Sequence, residues 1–241
     1  MKFHTLTIFL TAVVSVAVTA SDSQTAGSAA GQGDLKQKFA ALKQSMAENK
    51  ARLRKYQWIE STEVSIKGDV KKDQQKACHY GPDGTVQKTP IGPPPAPAKE
   101  PPGGLRGKVV TKKVDEMKDY MDRLKGLISH YVPPDSQKMQ SAFQAGNANL
   151  NQSSAGTASL SFTNYYKQGD KVTVSFDSAS KKLTSYDVET YLDGPKDVVT
   201  LSNQFASLPD NSNYLQQTIL TSKSKQIEIK TTNSDYTPIP Q

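Results

Sequence analysis

The sequence predicts an α+β fold in which a long antiparallel β-meander is combined with an N-terminal helix and an inserted helical hairpin. Residues 57–91 and 157–232 alternate apolar and polar side chains with a period of two, which is typical of half-buried strands. Residues 34–56 and 110–146 repeat apolar residues every three or four positions, as amphipathic helices do. A meander of this length is expected to curl into a barrel, a half-barrel or a sandwich.

Residues 1–20 have the order of a secretory signal peptide, with Lys2 first, then an apolar run, then the small residue Ala20. The apolar run is shorter than the roughly 20 residues that a membrane-spanning helix needs. We therefore expect cleavage after Ala20 and export to the periplasm or beyond, without a membrane-spanning segment. Residues 21–33 are rich in Ser, Ala and Gly and are predicted to be a disordered leader.

Residues 34–241 are predicted to form a single β-rich domain. Its first helix begins after Asp34, which is a good N-cap, and its apolar stripe runs as far as Tyr56. Three antiparallel strands are predicted to follow, with turns at Gly68-Asp69 and Gly81–Gly84. These strands are Gln57–Lys67, Val70–Tyr80 and Thr85–Ile91.

A proline-rich loop, residues 92–104, separates these strands from a helical insertion at residues 108–146. The first helix of the insertion is predicted over Val110–Tyr131, and Pro133-Pro134 ends it. Asp135 caps a second helix, which Gly146 ends. The segment that follows, residues 147–156, is predicted to be a loop.

The rest of the chain is predicted to be a β-meander. Its strands are Thr157–Lys167, Lys171–Asp177, Leu183–Leu192, Asp197–Ala206, Tyr214–Thr221 and Lys225–Thr232. Glycine, proline, aspartate and asparagine mark the turns between them, as they do in most tight turns. These turns are Gln168–Asp170, Asp193–Pro195 and Pro209–Asn211.

Charge and motifs favour a protein that binds over one that catalyses a reaction. Loss of residues 1–20 removes Lys2 and no acid, so the net charge falls from +7 to +6, which favours contact with an anionic envelope surface. The sequence has no Gly-x-Ser-x-Gly elbow and no phosphate-binding glycine loop, and no RNA-binding motif accompanies its aromatic residues. Cys78 is the only cysteine, so an internal disulfide is excluded.

Two residue pairs have side chains that could bind a metal ion or catalyse a reaction. Cys78 and His79 are neighbours on a predicted strand, so their side chains point to opposite faces and cannot share a metal ion without distortion. Asp187 and Glu189 share a strand face, which is the arrangement that a hydrolase of envelope polymers would need. A solvent-exposed face explains this pair better. We expect no catalytic residue, no metal site, no cofactor and no nucleic-acid partner.

The passage Tyr166–Asp177, followed by Lys181–Val188, resembles the periplasmic lipoprotein-carrier family, the LolA-like half-barrels. In those proteins a similar succession of strand, Gly-Asp turn, strand and Lys-Leu strand builds the sheet. The order of elements over residues 34–232 is similar as well. Two features depart from the family: the proline-rich loop, and the lack of an arginine that matches the binding arginine of that family.

The resemblance implies a half-barrel whose concave side, covered by the N-terminal helix and the helical hairpin, binds a lipid or the acyl chains of a lipoprotein. The residues implied to line the cavity are Val64, Ile66, Phe162, Val174 and Phe176. The helix Val110–Tyr131 is implied to be a lid. Its inward residues are Val110, Val114, Met117, Met121, Leu124 and Ile128.

The predicted function is therefore noncatalytic binding of a lipid or other amphiphilic ligand by an exported protein. One alternative is an envelope interaction or structural module whose core is filled by its own side chains. A less favoured alternative is the hydrolase that uses Asp187 and Glu189. A carrier differs from a module in having an apolar cavity that its own chain leaves empty.

Overall fold

A computed structural model of the protein describes residues 44, 48–93, 104–152 and 156–240, and within these it leaves the side chains of residues 104–107, 136 and 152 undescribed. The predicted signal peptide, residues 1–20, and the predicted leader, residues 21–33, lie outside the described residues. So do most of the predicted N-terminal helix and most of the proline-rich loop.

In the part of the chain that the structure describes, ten antiparallel strands form one open sheet. They are β1 (Tyr56–Ile66), β2 (Asp69–Tyr80), β3 (Val86–Ile91), β4 (Ala148–Gln152), β5 (Thr157–Thr163), β6 (Lys171–Asp177), β7 (Leu183–Tyr191), β8 (Val198–Ser207), β9 (Asn213–Ser222) and β10 (Ile227–Pro238). Their order across the sheet is β3-β2-β1-β10-β9-β8-β7-β6-β5-β4. The meanders β1–β3 and β4–β10 are thus joined side by side through the pairing of β1 with β10.

The described residues between β3 and β4 form two helices: α1 (Gly104–Ile128) and α2 (Ser136–Gln144). A short helical stretch, residues 48–53, precedes β1. The chain divides into two compact units: α1 belongs to the unit that includes Gly92–Asp135, whereas the sheet and α2 belong to the other. Among the described residues, no helix is both long and apolar enough to span a bilayer.

The predicted fold class is confirmed as α+β with an antiparallel sheet, and several boundaries are corrected. Helix α1 covers Gly104–Ile128 instead of Val110–Tyr131, so it begins before the predicted insertion at residue 108, and β5 ends at Thr163 instead of Lys167. Residues 147–156 are not simply a loop, because Ala148–Gln152 forms β4 and pairs with β5. Asparagine-rich β4 has little strand propensity, so the hydrogen bonds of its neighbour decide its structure. Strand β10 continues to Pro238 instead of ending at Thr232, and Tyr56 begins β1 instead of closing the helix.

Aspartates hold three of the turns between strands. Asp83 accepts a hydrogen bond from the Thr85 amide at 3.0 Å, Asp177 from the Ser180 amide at 2.7 Å, and Asp210 from the Ser212 amide at 2.9 Å. The hydroxyls of these same partners donate to the carboxylates as well. These hydrogen bonds lower the pKa of each of the three aspartates below its ordinary value.

Of the described strands, β3 and β4 are the outermost in the sheet. Strand β4 has only five residues, and β3 contains Pro90, which has no backbone N–H to offer. Short strands and prolines are common at sheet edges because they give a second chain little to pair with.

Candidate ligand-binding face

Cross-strand pairing aligns one apolar row across eight strands, and we call the side of the sheet that carries it the inner face. The row comprises Val64, Ile229, Leu220, Leu201, Val188, Val172, Phe162 and Ala148. Its six members from Ile229 to Phe162 are each no more than 3% exposed. An uninterrupted apolar row of this length is the strongest hydrophobic feature of the sheet.

The neighbouring row on the inner face changes from apolar to polar along its length. It comprises Leu150, Leu160, Val174, Tyr186, Asn203, Thr218, Thr231, Thr62 and Gln74. In its polar half, the Thr218 hydroxyl donates to Asn203 at 2.7 Å, and the Asn203 amide donates to the Tyr186 carbonyl at 3.1 Å. Polarity thus rises across the inner face from β4 toward β2.

All five predicted cavity residues lie on the inner face, in two separate groups. Phe162, Val174 and Phe176 are buried neighbours on β5 and β6. Val64 and Ile66 are half-buried on β1. Five inter-strand steps separate β1 from β6, which is about 24 Å across the sheet at the usual strand spacing. The structure therefore places the five residues on one surface but not around one point.

The predicted lid residues lie along α1, and their side-chain exposure falls from the N-terminal to the C-terminal end of the helix. Val110 is exposed, whereas Leu124 and Ile128 are buried. Val114, Met117 and Met121 are half-buried. Sequence reasoning missed Tyr120 and Leu127, which are also buried. Their spacing with Leu124 and Tyr131, at four, three and four residues, is a second stripe that the same periodicity contains.

Charged side chains occupy the polar end of the inner face, on β1, β2 and β3. Glu60 on β1 lies opposite Lys76 on β2 in the strand register, and each residue is 8% exposed. Lys88 on β3 lies opposite Cys78 on β2 in the strand register, and its ammonium forms an ion pair with the Glu60 carboxylate. Sequence reasoning missed this cluster, although the alternation of Lys76, Cys78 and Tyr80 placed all three on one face.

Lys76 is the charged residue of this cluster that lacks a close partner. Its ammonium forms no hydrogen bond or ion pair with the residues that the structure describes. Burial lowers the pKa of Lys76, and the negative charge of Glu60 opposes that change. The cluster of Glu60, Lys76 and Lys88 carries more positive than negative charge.

Five aromatic rings pack beside these charges: Tyr56, Trp58, Tyr80, Tyr214 and Tyr236. The ring centroids of Tyr80 and Tyr236 each lie 5.4 Å from that of Trp58, and Tyr236 stacks on Trp58 within 8° of parallel. The Trp58 indole donates to Asn233 at 3.1 Å. Burial raises the pKa of both Tyr80 and Tyr236. This aromatic group could not be predicted from the sequence, because β9 and β10 are distant from β1 in the chain.

The two residue pairs considered for chemistry occupy different environments. Cys78 is buried on the inner face, whereas its neighbour His79 is exposed. Asp187 and Glu189 lie on the outer face, where Asp187 accepts hydrogen bonds from Ser185 at 2.7 Å and Ser202 at 2.6 Å. Within the described part of the chain, no three His, Cys, Asp or Glu side chains are grouped to hold a metal ion.

The inner face therefore combines a broad apolar area on β5–β8 with a polar, cationic and aromatic end on β1–β3. The sequence matches no family model, and no curated protein matches it significantly.

Proposed function

We propose that the protein is an exported, noncatalytic carrier that binds a lipid or other amphiphilic ligand on the inner face of its sheet. In this proposal the sheet curves into a half-barrel and helices cover the inner face, as the resemblance to the lipoprotein-carrier family implies. The observation that carries the proposal is the change from apolar to polar along continuous rows of one face. A core that served packing alone has little use for buried charges, because burying them is unfavourable.

The apolar rows supply the larger part of the expected affinity. Each methylene of an acyl chain that leaves water contributes about 0.8 kcal/mol. A chain with a dozen buried methylenes would thus gain on the order of 10 kcal/mol, which is comparable to the roughly 4–15 kcal/mol lost in translational and rotational freedom on binding. No bond needs to form or break, so the binding requires no catalytic residue.

Native mass spectrometry of the protein purified from an exporting host, with organic extraction of bound material, tests this proposal. We expect a co-purifying lipid or acyl species in the wild-type protein. Val64→Lys should abolish the adduct, because it places a charge in the apolar row at a half-buried position that tolerates it. Ile59→Lys is the matched control, since Ile59 is half-buried on the same strand but does not lie on the inner face.

The control variant should keep the adduct, and circular dichroism should show that both variants are folded. A wild-type protein free of ligand, even after incubation with lipid vesicles, would overturn the proposal. That outcome would favour the interaction module, whose core is filled by its own side chains.

A further inference from the structure

The N-terminal half of α1 presents apolar side chains to solvent. Val109 is 56% exposed and Val110 is 40% exposed. Among the large hydrophobic side chains that are exposed in the described part of the chain, these two are the only neighbours in sequence. Single exposed apolar residues are common on protein surfaces, whereas grouped ones mark an interaction site. The pair therefore needs an explanation that the ligand-binding face does not supply.

These valines continue a stripe that is buried farther along the same helix. Two helical turns separate Val110 from Met117, and two more separate Met117 from Leu124, so the three side chains share one side of α1. Met117 is half-buried and Leu124 is fully buried. One apolar stripe is thus covered at the C-terminal end of the helix and open at the N-terminal end.

The open end of the stripe is also the positively charged end of the helix. Residues 104–114 contain no acidic residue and four basic ones, which are Arg106, Lys108, Lys112 and Lys113. The three lysines are exposed. Acidic residues begin at Asp115, which forms an ion pair with Lys118 at 3.4 Å. The N-terminal half of α1 therefore complements an anionic surface.

Lys113 discriminates between the surfaces that could cover the stripe. It lies four residues after Val109 and three after Val110, so it is on the apolar side of the helix. A dry interface with a second copy of the chain would bury its ammonium, which is unfavourable. At a bilayer surface its methylenes can lie among the acyl chains while the ammonium reaches the headgroups. A lipid surface therefore accommodates both the valines and the lysine.

We propose that the N-terminal half of α1, residues 108–117, docks onto the surface of a lipid bilayer that carries anionic headgroups. Val109 and Val110 enter the outer part of the acyl region, and the lysines contact the headgroups, so the helix lies in the plane of the interface. This inference goes beyond the proposed function and does not depend on it. It assigns to one helix the contact with an anionic surface that the net charge favours.

Co-sedimentation of the purified protein with two kinds of vesicle tests the inference. One kind is pure phosphatidylcholine, and the other contains about 30% phosphatidylglycerol, which makes its surface anionic. Each lysine close to such a surface is expected to strengthen binding roughly fivefold. Wild-type protein should therefore bind the anionic vesicles roughly tenfold or more tightly than the neutral ones, and added salt should reduce the difference.

The double variant Lys112→Gln/Lys113→Gln tests the charges. Glutamine is a good helix former, so α1 should persist while binding to anionic vesicles weakens roughly tenfold or more. Lys223→Gln/Lys225→Gln is the matched control, because it removes the same charge from exposed positions between β9 and β10. The control should bind anionic vesicles within roughly twofold of the wild-type protein.

Val109→Gln tests the apolar contact without changing any charge. It should weaken binding to anionic vesicles severalfold, and adding Val110→Gln should weaken it further, because less apolar area leaves water. Val70→Gln is the matched control, since Val70 on β2 is also 56% exposed, and it should have no effect. Circular dichroism should show that all these variants are folded.

Three outcomes would overturn the inference. Equal binding to both vesicles, or binding to neither, would show that α1 does not recognise an anionic bilayer. Equal weakening by the two lysine double variants, or unchanged binding of the valine variants, would show attraction by charge alone, as a soluble polyanion would also give. A dimer in analytical ultracentrifugation that Val109→Gln disrupts would assign the stripe to a second copy of the chain. The ligand experiment on the inner face has a separate readout, so the carrier proposal stands or falls independently.

Discussion

Cys78 shows how strongly the inner face changes the chemistry of a single side chain. The residue is 1% exposed, and burial raises the pKa of its thiol from 9.0 to about 11, with a further contribution from the negative charge of Glu60. The thiolate is the form of cysteine that reacts with alkylating agents. Both the low exposure and the raised pKa therefore protect Cys78.

We expect iodoacetamide at pH 8 to alkylate Cys78 in the folded protein at least roughly a hundredfold more slowly than in urea, because a rise of two pKa units leaves about a hundredth of the thiolate. Mass spectrometry of quenched samples measures the rate. Unfolded protein provides the internal control, since Cys78 is the only cysteine. Equal rates in the folded and unfolded protein would show that the thiol is accessible.

Individual faces could be predicted from the sequence, but the partners on those faces could not. Alternation along β1 and β6 placed Val64 and Val174 on the inner face, because side chains in a strand alternate between its two sides. The same rule placed Lys76 beside Cys78. It could not place Glu60 opposite Lys76 and in an ion pair with Lys88, because that arrangement depends on the register between three strands.

At the scale of elements, turn residues made most strand boundaries predictable. Strand β6 has the predicted bounds Lys171–Asp177, because a glycine turn precedes it and Asp177 holds the turn that follows. Strand β4 has no such signals, since its alternation is weak and its pairing with β5 determines its conformation. The positions that the sequence failed to predict are thus those where tertiary contacts outweigh local preference.

The three turn aspartates, Asp83, Asp177 and Asp210, predict an acid-dependent loss of stability. Their folded-state pKa values are lowered, so each contributes stability that is present in full above the unfolded pKa of about 3.9 and is lost as pH falls below it. We expect the urea midpoint of unfolding to be nearly constant from about pH 7 to pH 5 and to drop below about pH 4.

A variant with asparagine at all three positions provides the control. Asparagine still accepts hydrogen bonds but does not titrate in this range, so the drop in midpoint below about pH 4 should be smaller than in the wild-type protein. If the two proteins lost stability in parallel, the acid sensitivity would have to come from other carboxylates.

At the scale of the whole molecule, the pairing of β1 with β10 joins the two meanders into one sheet. It brings Ile66 against Ile227, residues that are far apart in the chain. Local patterns predicted both meanders except β4, because each of the other strands follows its neighbour through a short turn. They could not predict which strands would meet between the meanders, since long-range pairing leaves no mark in any single stretch of sequence.

Thr231→Pro in β10 should be far more disruptive than Thr89→Pro in β3. Strand β10 has a partner on both sides, so a proline there loses a hydrogen bond of the sheet and separates the meanders, at about 3 kcal/mol or more of unfolding free energy. Thr89 lies in an edge strand beside Pro90, where a second proline disturbs less. Urea unfolding followed by circular dichroism measures both variants, and equal losses would contradict a central role for β10.

The five-residue β4 and the proline in β3 also bear on what happens when many copies of the protein are crowded together. An open sheet grows into a fibre when the last strand of one molecule adds to the first strand of the next. Here one edge strand is only five residues long, and the other lacks a backbone donor at Pro90. Both edges therefore offer an added strand few hydrogen bonds, which disfavours fibre growth by edge-to-edge pairing in concentrated protein.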